Sequence, residues 1–339
     1  MGNLQPISDY SLKKYNTFGF DVLCDQYIRF KSIDDLKELS YILSSKHPKL
    51  LLGQGSNLLF VHDFHGIVLH PLFSSIQIIE DNSQYVLLRL GAGELWDDVV
   101  DFASQHNYYG IENLAGIPSS VGAAPVQNIG AYGVQFQDVF VSLQAYNLET
   151  HVFKEFQKNE CNFGYRTSIF KEKKEWLICF VTIKLTKEPN YQLQYPGIQE
   201  EIQQQNITHI TATSLVQVIR TIRNKKLPSI TELGSAGSFF KNPIISQQEY
   251  LKLKIDYPNI VAYDNHDNTY KLSAGWLIEQ CGWKGTRFGN VGVYEKQALI
   301  LVHYGNGTGQ EMLDLANNII QSVKEQFQII LSPEVVIIQ

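Results

Sequence analysis

The chain has 339 residues, 44% of them hydrophobic and 18% charged, with a formal net charge of -6. That length suffices for about two domains with cores of their own, the composition excludes a disordered chain, and the acidic balance argues against broad electrostatic binding of nucleic acid. No apolar run reaches the roughly 20 residues of a membrane helix, and the opening MGNLQPISDY lacks the apolar core of a secretory signal, so a cytoplasmic enzyme without membrane insertion is expected. Cys24, Cys161, Cys179 and Cys281 lie far apart with no CxxC or other metal-ligand spacing, which predicts free thiols and no metal site.

In chain order, Asn16-Thr17-Phe18-Gly19 precedes an alternating segment, Asp25 to Phe30, that predicts a strand. Ser32 to Ser44 predicts one helix, capped by Ser32, with Leu36, Leu39, Ile42 and Leu43 at helical spacing. A strand from Lys49 to Leu52 runs into Gly53-Gln54-Gly55-Ser56-Asn57, and a second strand, Leu58 to Val61, follows at once. A Rossmann fingerprint needs a helix after the turn and a third glycine where Leu58 stands, so that mode of dinucleotide binding is disfavoured. The turn by itself reads equally as a tight hairpin or as a phosphate contact. Tyr85 to Leu90 predicts a strand and Glu94 to His106 a helix with Leu95, Val99 and Phe102 on one face. Val139 to Leu185 predicts a mixed antiparallel sheet, and the polar stretch Tyr191 to Ile210 an exposed excursion, either a lid or an insertion. Thr213 to Asn224 reads as a helix ended by Lys225-Lys226-Leu227-Pro228, a small basic cluster. A short helix over Leu272 to Gln280 and a strand over Gln297 to His303 follow. The clearest helix starts at Thr308, which has capping-box spacing to Glu311, and carries Met312, Leu315, Ala316, Ile319, Val323 and Phe327 as one apolar stripe. Phe327 to Leu331 and Glu334 to Ile338 read as two strand pieces around Pro333.

Chemistry concentrates in a few places. Gly116 to Gly133, GIPSSVGAAPVQNIGAYG, holds four glycines, two prolines and no charged residue or histidine. It cannot be an ordinary amphipathic helix, and reads either as a cofactor cradle, where glycines let the main chain lie against a ligand, or as a buried turn-rich connector. Glu334 opens the apolar run Val335 to Ile338, where a carboxylate is paired, functional or turned to water at a strand edge. Arg166, before Ile169-Phe170, reads as functional or as a structural ion pair, and Ser238 after Gly237 as a ligand-facing acid or a turn cap. No Ser-His-Asp set emerges, and His62, His65 and His70 lack a metal pattern and read as solvated or capping residues.

Taken together, Asn16-Thr17-Phe18-Gly19, Gly53-Gln54-Gly55-Ser56-Asn57, the cradle with its QNIGAYG ending, Tyr165-Arg166, Gly237-Ser238-Phe239-Phe240-Lys241-Asn242-Pro243 and Pro333-Glu334-Val335 resemble the UDP-N-acetylenolpyruvoylglucosamine reductase (MurB) family, in family order over almost the whole chain. The resemblance implies an α+β protein with an FAD-binding fold of the vanillyl-alcohol-oxidase (PCMH) type. That region would span residues 1–215 in two subdomains, about 1–70 and 71–215. A separate α+β substrate domain would span 216–327, and residues 328–339 would form a strand returning to the FAD-binding region. It implies non-covalent FAD, NADPH as hydride donor, UDP-N-acetylglucosamine enolpyruvate as substrate, and a monomer. The product would be UDP-N-acetylmuramate, a peptidoglycan precursor, formed by hydride transfer from reduced flavin to C3 and proton transfer from Ser238 to C2. Arg166 and Glu334 would polarise the substrate carboxylate, Glu334 holding or sharing a proton. The family's flavin contacts fall on Gly53, Gly55, Ser56, Asn57, Gly116, Ile117, Pro118, Ser119, Gly122, Ala123, Gln127, Asn128, Gly130, Tyr132 and Arg223, and its sugar-nucleotide contacts on Tyr165, Tyr195, Lys226, Asn242, Tyr263 and Gln297. The Tyr195 segment marks the longer subgroup, in which a tyrosine loop closes over the diphosphate. Gln54 and Ser119 stand where many relatives carry glycine, and the chain stops at Gln339 where some continue. Two other readings stay open. One is a flavin oxidoreductase of the same fold with covalent flavin, against which no His or Cys occurs in 116–133. The other is a non-catalytic sugar-nucleotide sensor, against which Arg166, Ser238 and Glu334 stand in their family contexts.

Overall fold

The computed structural model of the chain describes residues 5–229 and 232–339, so the first four residues of MGNLQPISDY lie outside it. Its elements in chain order are β1 (Ile7–Ser11), β2 (Leu23–Phe30), α1 (Ile33–Glu38), α2 (Ser40–Leu43), β3 (Lys49–Leu51), β4 (Leu58–Phe60), β5 (Phe64–Pro71), β6 (Ile76–Asp81), β7 (Tyr85–Gly91) and α3 (Trp96–Gln105). They continue as β8 (Gly130–Ala131), β9 (Val134–Gln135), β10 (Phe140–Asn147), β11 (Phe153–Gln157), β12 (Trp176–Thr186), α4 (Ile198–Gln204) and α5 (Ala212–Lys226). The last are β13 (Ile244–Ser246), α6 (Gln247–Asp256), β14 (Ala262–Asp264), β15 (Thr269–Leu272), α7 (Ala274–Gln280), β16 (Arg287–Phe288), β17 (Val291–Val293), β18 (Leu301–His303), α8 (Gly309–Phe327) and β19 (Val336–Ile338). Two compact units result, one from the N-terminal residues through Tyr10, Cys24–Gln54 and His65–Lys225, the other from Ser11–Leu23, Gly55–Phe64 and Lys226–Gln339.

The first unit holds a four-stranded sheet, β1-β2-β5-β3, and a five-stranded sheet, β11-β10-β12-β7-β6. The larger sheet is antiparallel throughout, as the segment Val139 to Leu185 predicts. Along β7 the period of two is kept, with Val86, Leu88 and Leu90 fully buried. Helix α3 presses Trp96, Val99, Val100 and Ala103 into this core. Leu95, expected on the same face, precedes the helix and is exposed. Ser32 does cap a helix, in a capping box with Asp35, but the helix ends at Leu39, whose amide turns back to Asp35 and Lys37 and separates α1 from α2. The excursion Tyr191 to Ile210 is less exposed than its polarity suggests: α4 buries Ile198 completely and holds the buried carboxylate of Glu201 against Lys225 Nζ at 2.5 Å. His70 is also not solvated, being buried on β5 with Nδ1 2.7 Å from the Tyr27 hydroxyl.

The second unit carries two three-stranded sheets, β13-β15-β14 and β16-β17-β18, and the parallel pair β19-β4. The glycine turn at 53–57 is therefore no hairpin, since β3 pairs with β5 and β4 with β19. Helix α8 follows its sequence pattern, with the Thr308–Glu311 capping box formed and the whole stripe from Met312 to Phe327 buried. Gly309 opens it because a Cβ there would lie 1.8 Å from the Phe60 carbonyl oxygen. Phe327 to Leu331 is not a strand, since Phe327 completes α8 and Gln328 takes the left-handed conformation that ends it. The strand expected over Gln297 to His303 shortens to Leu301–His303 because the Ile300 amide bonds back to the Gln297 carbonyl in a turn. All four cysteines are free thiols. Among the described residues no helix is long and apolar enough to cross a membrane, and no cluster of His, Cys, Asp or Glu could hold a metal.

Candidate active site

In the first unit the cradle is turn-rich, consistent with its glycines and prolines, and it is pinned from several sides. Gly53 lies against it so closely that a Cβ would fall 2.6 Å from Ser120 Oγ and 3.4 Å from Ala123 Cβ. Gly122 is held equally tightly over Ala92. Gly116, in the left-handed region at φ +70, donates its amide to Asp97 Oδ1 at 2.6 Å and accepts at its carbonyl from Arg223 Nε at 3.2 Å. Asp97 also pairs with Arg220, which reaches Asp101. These carboxylates come from the first turns of α3 and these arginines from α5. The Tyr132 hydroxyl lies near the Arg223 guanidinium; burial draws the Arg223 pKa down, while Tyr132 and Asp97 oppose the shift. Burial pushes the Tyr132 phenol up.

At the other end of the cradle, Arg166 sits at φ +55 and gives Nη2 to the Gly130 carbonyl at 2.6 Å. A Cβ on Gly130 would come within 2.9 Å of that guanidinium, so this glycine makes room for the arginine. Tyr165 lies beside it, its ring 5.5 Å from the Arg166 carbon. Asn128, buried and at φ +46, ties the turn to Gln135, Gln137 and Gly164 through its side-chain amide. Gln127 is half-buried, Pro118 exposed and Ser119 buried, its hydroxyl donating to the Ser120 carbonyl. Tyr195 meets the Tyr132 ring edge-on, 5.2 Å between centroids. The first unit thus gathers Arg166, Tyr165, Tyr132, Tyr195 and Arg223 around one stretch.

The second unit brings together residues far apart in sequence. Residues 234–241 run as an irregular strand, with bridges from Gly234 to His303, Ser238 to Ile300 and Phe240 to Pro333. Phe239 and Phe240 are buried anchors that leave Ser238 half-buried between them and Gly237, whose φ is +69. The Glu334 amide donates to the Phe239 carbonyl at 2.7 Å, and its carbonyl accepts from Asn57 Nδ2 at 3.3 Å. Asn57 also receives the Val336 amide at its carbonyl. Asn242 Oδ1 accepts the first amide of α7, and Gln297 Oε1 lies where a Cβ on Gly275 would come within 2.9 Å, so both amides crowd the start of that helix. Tyr263 on β14 is exposed with Lys271 Nζ 5.9 Å from its ring, and Lys226 is exposed at the end of α5. Arg166 belongs to the first unit, and Ser238 and Glu334 to the second.

Residues outside the sequence-based set contribute as well. Asp97 and Arg220 carried no signal in the sequence, and neither did Asn113, whose Nδ2 reaches both the Tyr132 and Gln192 carbonyls at 2.8 and 2.9 Å. Glu112 is buried with Oε2 on the Gly110 amide, no hydrogen-bond partner for Oε1 among the described residues, and a pKa raised by burial. As the sole charged residue between His106 and Asp138, Glu112 left a trace that a sequence reader could have followed.

The donors of the first unit suit a phosphate. No backbone carbonyl among the described residues accepts the amides of Gln54, Ile117 or Ser120 there. Buried or half-buried amides of this kind, in glycine-rich turns, are anion ligands in waiting. Residues 24–153 match the model for an FAD binding domain. Fold and site therefore define an FAD-dependent oxidoreductase. Residues 229–338 match the model described as UDP-N-acetylenolpyruvoylglucosamine reductase, C-terminal domain. The UDP-N-acetylenolpyruvoylglucosamine reductase of Porphyromonas gingivalis is 43% identical over 330 residues, 96% of this chain and 97% of that protein. That of Flavobacterium johnsoniae is 42% identical over 336 residues, 98% of this chain and 99% of the other. The chain belongs to the UDP-N-acetylenolpyruvoylglucosamine reductase (MurB) family. The crystal structure of the Thermus caldophilus reductase aligns over 99% of both chains with a TM-score of 0.68 at 22% identity, a likeness of fold.

Proposed function

We propose that the chain reduces the enolpyruvyl group of UDP-N-acetylglucosamine enolpyruvate to give UDP-N-acetylmuramate in peptidoglycan precursor synthesis, with NADPH as the source of hydride and FAD held non-covalently. It does so as a cytoplasmic monomer, with residues 1–215 serving the flavin, 216–327 the sugar nucleotide and 328–339 returning to the flavin region. The observation that carries this reading is the hydrogen bond from the Glu334 amide to the Phe239 carbonyl, 2.7 Å, which supports a shared role for Ser238 and Glu334 despite their separation in sequence.

When bound, FAD supplies the hydride that C3 of the enolpyruvyl group receives. The residues supply everything else. The alkene accepts hydride only if negative charge can spread into its carboxylate, and the Arg166 guanidinium, with Glu334 holding or sharing a proton, stabilises that charge. Ser238 then delivers a proton to C2; a hydroxyl is a weak acid in water but a sufficient one beside a strongly basic enolate. Lys226 offers its charge to the diphosphate, with Tyr165, Tyr195, Asn242, Tyr263 and Gln297 completing the sugar-nucleotide contacts. In the cradle, Arg223 holds the Gly116 carbonyl within the field of the Asp97 carboxylate, and its remaining donors serve a phosphate or the flavin. The test is the absorbance spectrum of the purified protein, then NADPH oxidation with and without the enolpyruvyl sugar nucleotide. A flavin spectrum and oxidation that depends on the sugar nucleotide are expected. A colourless protein, or NADPH consumption indifferent to the sugar, would overturn the reading.

A further inference from the structure

Tyr132 stands at a junction of the first unit that holding a flavin does not by itself require. Its backbone lies at φ +50, a region costly for a residue with a side chain, while Gly133 beside it adopts φ +87 without that cost. The ring makes contacts that offset the strain. Its edge-on partner is Tyr195, 5.2 Å away at an interplanar angle of 83°, and its hydroxyl lies near the Arg223 guanidinium. Arg223 in turn donates Nε to the Gly116 carbonyl, at the opposite end of the cradle. A second tie runs through Asn113, whose single side-chain nitrogen serves the carbonyls of both Tyr132 and Gln192. The polar segment around Tyr195 is thus fastened to the end of the cradle at two points, and through one guanidinium to its beginning.

We propose that Tyr132 is a positioning residue that couples the Tyr195 segment to the Arg223–Gly116 end of the cradle, so that a nucleoside diphosphate captured by that segment tightens the hold on FAD. The inference rests on the flavin and sugar-nucleotide reading above. A ligand that favours the packed arrangement of Tyr195 on Tyr132 also favours the arrangement in which Arg223 is fixed, and the coupling is reciprocal.

FAD release from the holoprotein, followed by the rise of flavin fluorescence on dilution, tests this with UDP as the probe. An aromatic contact and a polar contact of this kind correspond to about a three- to tenfold slowing of release in the wild type at saturating UDP. Tyr132→Phe keeps the ring and removes the hydroxyl. It should show less than about twofold slowing of FAD release and, because the coupling is reciprocal, bind UDP to the holoprotein more weakly by about the factor that the slowing has lost. Tyr132→Leu should lose the slowing and weaken UDP as well, by about three- to tenfold. The same slowing in Tyr132→Phe as in the wild type overturns the coupling while leaving the function intact. A wild type that holds flavin but has no affinity for UDP overturns the functional reading and the coupling with it.

Discussion

Replacing His70 with glutamine should flatten the acid side of the stability profile. His70 is 6% exposed on β5, and burial, helped by the charge of Arg29, lowers its pKa from 6.5 to about 4. Between those values the unfolded chain binds a proton that the folded chain refuses, so stability rises with pH across that window and is lost as pH falls. Integrated over the two pKa values, the loss is about 2 kcal/mol between pH 7 and pH 5 and about 3 kcal/mol by pH 4, where it levels off. Glutamine can still meet the Tyr27 hydroxyl, which lies 2.7 Å from Nδ1 in the native protein, but does not titrate. Urea unfolding of the holoprotein at pH 7 and pH 5 gives the comparison, because every other titrating group is common to both proteins and cancels. The wild type should lose about 2 kcal/mol more than the variant over that interval. Equal losses would refute the reasoning and mean that the buried imidazole takes up its proton as readily folded as unfolded.

Other changes probe the site and its frame. Ser238→Ala should still oxidise NADPH in a flavin half-reaction but lose about 10²- to 10⁴-fold in turnover of the enolpyruvyl sugar; stopped-flow and steady-state assays separate the two, and full turnover would remove Ser238 from its role. Gly309→Ala places a methyl group 1.8 Å from the Phe60 carbonyl oxygen and should destabilise the protein by about 3 kcal/mol, read as a fall in the urea midpoint. Asp97→Ala strips the acceptor from the Gly116 amide and a partner from Arg220, and should cost about 1–3 kcal/mol together with faster flavin release; unchanged release would mean that the cradle does not depend on this carboxylate.

What the sequence disclosed follows from the range of the forces involved. Local rules gave α8 almost whole, because a capping box and a stripe of apolar residues act within a few turns. The cradle announced itself by composition, since glycine and proline restrict the backbone wherever they stand. Tertiary choices were hidden. Leu39 has the spacing of a continuing helix, yet its amide folds back and splits the element in two. The polar segment after Tyr191 looked solvated because its anchors are sparse, with Ile198 and Glu201 buried among exposed neighbours. His70 is indistinguishable in sequence from His65, which is exposed beside Asp25; only the sheet decides which of them meets water. Asp97 was unreadable as a ligand of Gly116 because its partner is a backbone amide, which any residue carries.

The pairing of β19 with β4 sets the order in which the molecule can be completed. Asn57 and Glu334 are 277 positions apart, and the second unit draws on early stretches that must await the last strand. A chain emerging N-terminus first therefore carries Leu58–Phe60 without its β19 partner until Val336–Ile338 have been made. Closing so long a loop costs entropy that grows only logarithmically with length, so the finished fold bears it easily, but the search is slow and leaves an apolar strand edge open to other chains meanwhile. The early hazard for this protein is aggregation through β4, and pairing with β19 is what ends it.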